Sequence, residues 1–287
     1  MKPVDVLRIA LIVAACLPVT AEAAAGRTGG AFAVGPDGAA AYTIPIWTPP
    51  GPNGVQPGLA LTYNSRAGNG VLGVGWSLAG LSSIERCNST VGQDGVAAAV
   101  SLNAADKFCK DGKRLRLTGG TYGQAGSSYQ TEIADFSLVT ANGTTGSGPT
   151  YFTVKAKNGW ILEYGNTADS RVIPGSSASV LRWMLNKLTD RDGNAVVFSY
   201  NTVTGYAVPS SISWTRTSAG ASTYVYTATF AYSTKSAVDT IKTQVAGQSV
   251  QNAQRLSSVT ITSAASGSPR TVRKYVLAYE TSATRPN

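Results

Sequence analysis

Histidine does not occur anywhere in this chain. Its absence removes Ser-His-Asp and Cys-His nucleophilic sites, together with the commonest metal ligand. Charged residues make up only 14% of the sequence. The Leu, Glu and Lys patterning that builds amphipathic helices is scarce, so helix should be rare. No apolar run is long enough to cross a bilayer as a helix, the most apolar being Ile9 to Val19. Acidic groups are few and spread out. Glu132 with Asp135, and Asp190 with Asp192, are close enough in sequence to suggest a glycosidase-like pair. Both pairs sit in or beside expected turns, where caps and solvated charge account for them. The run Asp190-Arg191-Asp192-Gly193-Asn194 hints at calcium, yet it lacks the glutamate that closes a calcium loop. The expectation is therefore a protein that is not an enzyme, with no catalytic residue, no cofactor and no metal.

The charge that is present is mostly basic, for a net +9. Lys110, Lys113, Arg114 and Arg116 cluster around Asp111-Gly112, which reads as the turn of a hairpin. No aromatic interleaving or binding motif accompanies the cluster, so it reads as a solvated strand face, and nucleic-acid binding is not expected.

Gly, Ser, Thr, Tyr and Val are abundant, as in antiparallel β proteins. Turn residues and strand-like runs alternate most densely from Tyr42 to Cys87. Tyr42, Ile44 and Ile46 alternate with smaller residues, Pro49-Pro50-Gly51 halts the strand, and Asn53-Gly54 supplies a tight turn. Leu59, Leu61 and Tyr63 then share a face at period two. Gly73 and Gly75 flank Val74 just before Trp76, which predicts a corner where backbone passes close beneath the indole. Further along, Asn158-Gly159 links Tyr151–Ala156 to Trp160–Tyr164 as a hairpin, and 190–194 turns the chain into the strand Ala195–Tyr200. Tyr224, Tyr226, Ala228, Phe230 and Tyr232 line one face of a later strand. With 13 Tyr and 5 Trp, such rows leave carbohydrate binding open as the alternative function, beside plain cross-strand packing.

The N-terminus reads as an export signal. Lys2 and Arg8 precede the apolar run, and Ala21-Glu22-Ala23 offers small residues where a signal peptidase cuts, giving a signal peptide at 1–23. Val13-Ala14-Ala15-Cys16 also matches a lipobox, so Cys16 either leaves with the signal or becomes a lipidated anchor. Either way Cys87 and Cys109 remain as an even pair in a compartment where disulfides persist, and they are expected to bond, two buried free thiols being the alternative.

Specific phrases point to a family. NGVLGVGWSLAGLSSIERC at Asn69–Cys87, FCKDGKRLRL at Phe108–Leu117, TEIADFSLV at Thr131–Val139 and KNGWILEYGNTADSR at Lys157–Arg171 resemble the N-terminal domain of the Salmonella plasmid virulence protein B family. That domain also opens insecticidal Tc toxin B components and many Rhs or YD-repeat proteins, and DRDGNAVVFSYN at 190–201 resembles a YD-repeat core. The resemblance implies an all-β chain of antiparallel sheets built from successive hairpins, forming part of a large β-shell-like assembly. It implies a virulence-protein-B-like domain at 24–175 and a continuing YD-repeat-like region at 176–287. The implied function is a non-catalytic structural module of a secreted toxin, enclosing or presenting a C-terminal effector that this chain does not contain. Its implied partner is a downstream Rhs or toxin-complex polypeptide, with cell-surface glycans the alternative. Ending soon after a strand at Thr284-Arg285-Pro286-Asn287, the sequence reads as a truncated product. Gly73, Gly75, Trp76 and Gly80 are the expected structural motif, and Cys87 with Cys109 the expected structural bridge.

Overall fold

The computed structural model describes residues 29–280 except positions 204 and 219. The expected signal peptide, Cys16 and the final residues lie outside the described residues. Strand dominates: among the described residues, helix is confined to the single turn Val91–Asp94 and the 3-10 turns Pro52–Gly54 and Ala168–Ser170. The chain is all-β, and every named strand pairing is antiparallel.

Three bodies of sheet follow one another. The first has four strands, Ala31–Val34, Ala40–Ile46, Leu59–Asn64 and Trp76–Ala79, hydrogen-bonded in that order. The second is a closed barrel. Ser83–Cys87, Lys107–Lys110, Lys113–Gly119, Ser128–Thr131, Leu138–Asn142, Tyr151–Lys155 and Ile161–Tyr164 pair in sequence order, and Arg182–Thr189 closes the ring by pairing with both Ile161–Tyr164 and Ser83–Cys87. Arg182–Thr189 is long enough to serve a second purpose. Beyond the end of Ser83–Cys87 its free edge pairs with Ala195–Val203, which starts an open sheet through Tyr206–Arg216, Tyr224–Thr234, Gln254–Ser263 and Arg270–Val276.

Turn chemistry explains the hairpins. Asp111 and Gly112 both have positive φ, 49° and 76°, the two-residue turn that suits the twist of flanking strands. The Asn158-Gly159 turn takes another form. The Gly159 N–H donates to Ala156 O at 2.9 Å and the Ala156 N–H to Trp160 O, so only Gly159 needs positive φ and the loop is a turn followed by a glycine bulge.

The expected boundary at 175/176 falls in the connection from Arg171–Val172 to Arg182–Thr189, and the latter strand belongs to barrel and open sheet together. The four-stranded sheet packs on the open sheet rather than extending the barrel. The Trp214 indole N–H donates to Pro49 O at 3.0 Å, the Trp47 N–H to the Tyr275 hydroxyl at 2.8 Å, and the Leu256 N–H to Val71 O at 2.9 Å. One apolar core connects all three bodies, from Ile46 and Leu59 through Trp214 and Phe230 to Trp183 and Phe152. The row Tyr226, Ala228, Phe230 and Tyr232 is packed into or against that core, with the Tyr232 hydroxyl donating to Pro209 O at 2.7 Å. That row is therefore not an open platform.

Candidate functional site

The corner at 69–80 is built from backbone geometry. Gly73, Gly75 and Gly80 all have positive φ, at 86°, 79° and 96°. A Cβ on Gly75 would lie 2.5 Å from the Tyr63 ring, and one on Gly80 would lie 2.2 Å from Gly58 O. The crowding is thus against a tyrosine and a neighbouring strand, not beneath the indole as the sequence suggests. Trp76 instead ends an aromatic row. Phe32, Tyr42, Tyr63 and Trp76 are successive register partners across all four strands of the first sheet. The Tyr63 and Trp76 rings are 5.4 Å apart, and exposure rises towards Phe32 at the sheet edge.

Cys87 and Cys109 are joined by a disulfide, their Cα atoms 5.9 Å apart. Because Cys87 pairs with Lys107 and Glu85 with Cys109, the bridge runs diagonally between adjacent strands on the outer face of the barrel. Cys87 and Glu85 open onto a cleft of about 720 Å³, walled by the barrel on one side and by the hairpin Ile241–Val245/Gln248–Asn252 and Tyr206 on the other. The hairpin is pinned at its tip, where Gln248 Oε1 accepts the Ser176 N–H at 2.9 Å. At its base the buried Lys235 ammonium donates to Gly70 O at 2.6 Å and Asn69 Oδ1 at 3.1 Å, and burial lowers its pKa. Inside the cleft the Arg182 Nε donates to Glu85 Oε2 at 2.7 Å. Asn252 Nδ2 is buried there without a hydrogen-bond partner among the described residues. The lining offers a paired carboxylate, a cystine and amides. It can hold a polar ligand, and it presents no nucleophile beside a base.

The inward face of the barrel is more strongly constrained. Phe108, Tyr129, Phe152 and Trp183 meet edge to face, with Phe152 and Trp183 centroids 5.0 Å apart. The buried Arg86 guanidinium lies 5.7 Å from the Phe108 centroid and 6.0 Å from that of Trp183. Its Nη1 donates to Asp106 Oδ2 at 2.9 Å and its Nε to Val180 O at 2.8 Å. Desolvation lowers the Arg86 pKa, and the Asp106 carboxylate offsets part of that. Nothing in the spacing of Arg86 and Asp106 marks them as partners; the register of Ser83–Cys87 against Lys107–Lys110, which sets Arg86 opposite Phe108, brings Asp106 beside Arg86.

The carboxylates read as glycosidase or calcium candidates are engaged in structural roles. Asp135 accepts from the Ser137 N–H at 3.0 Å and pairs with Lys110 at 3.1 Å. Glu132 pairs with Arg116 at 3.4 Å. Asp190 Oδ1 accepts the N–H groups of Asp192 and Asn194, and Asp192 Oδ2 accepts from Asn53 Nδ2 at 2.6 Å. Burial opposes ionisation of both Asp190 and Asp135. Hydrogen bonds from Asn194 in the first case, and from Ser137 and Lys110 in the second, outweigh it and hold both below the usual carboxylate range. The basic cluster also differs from a uniformly solvated face: Arg114 is buried beneath the Val91–Asp94 turn and pairs with Asp94 at 3.0 Å.

A family model described as the Salmonella virulence plasmid 65kDa B protein matches residues 34–94 and 125–260, well over half of the chain. The chain belongs to this family. Within it, the mono(ADP-ribosyl)transferase SpvB of Salmonella typhimurium is 29% identical over 188 residues, covering 58% of this chain and 30% of the relative. The Salmonella dublin protein of the same description gives the same figures. The chain thus spans about a third of the length of the curated relatives it matches. Among solved structures, the N-terminal domain of the effector protein SpvB from Salmonella typhimurium strain LT2 has a TM-score of 0.64 at 19% identity, over 79% of this chain and 90% of that domain. TcdB2-TccC3 has a TM-score of 0.72 at 18% identity, over 89% of this chain and 15% of that one. The virulence-protein-B resemblance and the all-β antiparallel fold are therefore established. The similarity to SpvB falls on its N-terminal domain.

Proposed function

We propose that this chain is a non-catalytic structural module of a secreted bacterial toxin or Rhs/YD-repeat protein, a wall segment of a larger β-rich enclosure. One observation carries the reading: most of the chain overlays TcdB2-TccC3 while accounting for 15% of it, so this architecture also exists as a small piece of a much larger chain. The outer edge of Arg270–Val276 supports it, since that edge lacks a strand partner among the described residues and Val276 is exposed beside it. Engagement of the candidate carboxylates in turns and ion pairs supports a role without catalysis. Export fits both the leader at 1–23 and the Cys87–Cys109 bridge. The partner would be downstream Rhs or toxin-complex polypeptide that continues the open sheet. Co-expression with that downstream sequence tests this: the two should co-purify, and the 270–276 segment should gain protection from protease. Failure to associate, with equal protease resistance alone, overturns the reading.

A second reading, glycan binding, is favoured by the Phe32–Tyr42–Tyr63–Trp76 row and not by the Tyr224–Tyr232 strand. A glycan array with specific hits that vanish in Phe32→Ala/Tyr42→Ala would support it; an array without hits removes it.

A further inference from the structure

The cleft between the barrel and the hairpin Ile241–Val245/Gln248–Asn252 lies between two sheet faces. On the hairpin, Ile241 is the register partner of Asn252 and Thr243 of Val250, and these four residues line the cleft together with Val245, at period two along the strand. The barrel wall presents Glu85, Cys87 and Arg182. Along its backbone Glu85 is already paired, with Cys109 on one side and Arg182 on the other. Both ends of the hairpin are tied down, since Gln248 accepts the Ser176 N–H at the tip and Lys235 donates to Gly70 O at the base. The space is thus preformed.

Charge and hydrogen bonding narrow what fits. The ionisable residues that line the cleft are Glu85, Arg86, Arg182 and Tyr206. Glu85 is paired with Arg182, and Arg86 with Asp106 inside the barrel, so the lining leaves no net charge for an ionic ligand. One donor is left over. Asn252 is 3% exposed, and its Oδ1 accepts the Gln254 N–H at 3.1 Å, which fixes the amide so that Nδ2 is the atom without a hydrogen-bond partner among the described residues. A buried donor in that state gains from any acceptor that reaches it. Around these polar groups the walls are aliphatic, at Val172, Val245 and Val250, with the half-buried Tyr206 ring beside them. Neutral sugars match that mixture: their C–H faces pack on aliphatic and aromatic groups, their oxygens accept from amides, and adjacent hydroxyls suit a carboxylate set beside a guanidinium. An extended peptide matches less well, because strand addition needs an open strand edge and both walls here are faces.

We propose that this cleft binds a short neutral oligosaccharide, with Asn252 Nδ2 donating to a sugar oxygen and the Glu85–Arg182 pair engaging neighbouring hydroxyls. The inference stands apart from the enclosure role and from the Phe32–Tyr42–Tyr63–Trp76 row. The test is an array of immobilised neutral and sialylated oligosaccharides probed with the full chain, followed by titration with the strongest neutral hit as the free sugar. Hits are expected among the neutral sugars. Thr243→Trp puts a ring into the cleft from an exposed position and should weaken binding about tenfold or more. Asn252→Ser keeps an acceptor for the Gln254 N–H and withdraws the amide donor, for a loss of about threefold to tenfold. Lys242→Trp adds the same ring on the other face of the hairpin and should leave the affinity unchanged, as should Phe32→Ala/Tyr42→Ala. Near-UV circular dichroism checks that each variant keeps the native packing. An array without neutral hits, a Thr243→Trp variant that binds like the parent, an equal loss in Lys242→Trp, or a loss confined to Phe32→Ala/Tyr42→Ala each overturns the proposal. Binding to a random peptide array in place of the sugars overturns it as well.

Discussion

The barrel at 83–189 and the open sheet at 195–276 are both ladders of antiparallel hairpins, but they end differently. In the barrel, Ile161–Tyr164 meets Arg182–Thr189, which in turn meets Ser83–Cys87, so the ladder returns to its start and its edges are paired. Its interior then holds a buried charge pair and an aromatic cluster, and its wall is crossed by a disulfide. The open sheet covers its inner face with the four-stranded sheet, and among the described residues Arg270–Val276 has no strand partner on its outer side. Closure satisfies backbone groups within the chain, whereas an open edge leaves them for water or for another strand. The barrel's ladder is thus satisfied within itself, and the open sheet's is not, among the described residues.

That contrast is broken or sharpened by substitution. The largest effect is expected from Asp106→Ala, which strands the buried Arg86 charge and should cost about 3–5 kcal/mol in denaturant unfolding. A loss under about 1 kcal/mol would mean that the pair is solvated and the barrel less closed than described. Cys87→Ser should cost about 3 kcal/mol in the same assay and should leave the open sheet's amide exchange unchanged; equal loosening of both regions would show that they unfold as one. Trp214→Phe leaves the Pro49 carbonyl without its donor and opens space between the first sheet and the open sheet, for about 1–3 kcal/mol. Its exchange signature should be the reverse, with the 195–276 amides loosened and the barrel's protected.

The smallest effect is pH dependence. Asp135 at the barrel rim and Asp190 at the junction with the open sheet both have folded pKa values below the unfolded value of about 4. The unfolded chain therefore binds more protons in acid, and the stabilisation is complete above about pH 4 and lost as pH falls through the lower folded values. Asp190→Asn should flatten part of the acid limb of a stability-versus-pH curve. An unchanged acid limb would remove Asp190 from the account.

Local chemistry was legible in the sequence where a signal is complete within a few residues. Asp111-Gly112 and Asn158-Gly159 marked hairpins because positive φ is cheap for Gly and tolerable for Asp. Period-two runs marked strands at 151–155 and 195–200. What the sequence left open, or misread, depended on distant neighbours. The Tyr224–Tyr232 row has the same alternation whether its face meets sugar or core, and only the four-stranded sheet laid across that face decides it. Gly75 sits beside Trp76 in sequence, but its missing side chain makes room for Tyr63 on the neighbouring strand. Arg114 looked solvated until the 88–94 turn folded over it.

By itself the sequence determined that this is an antiparallel β protein, that it lacks histidine chemistry, and that it carries the phrases of the virulence protein B family, because period, turn residues and composition act over short range. Tertiary structure alone decided that the ladder closes at Arg182–Thr189, that Arg86 meets Asp106, and that Phe32, Tyr42, Tyr63 and Trp76 form one row. Each of these joins residues far apart in the chain, and strand register, set by packing of whole sheets, is what brings them together.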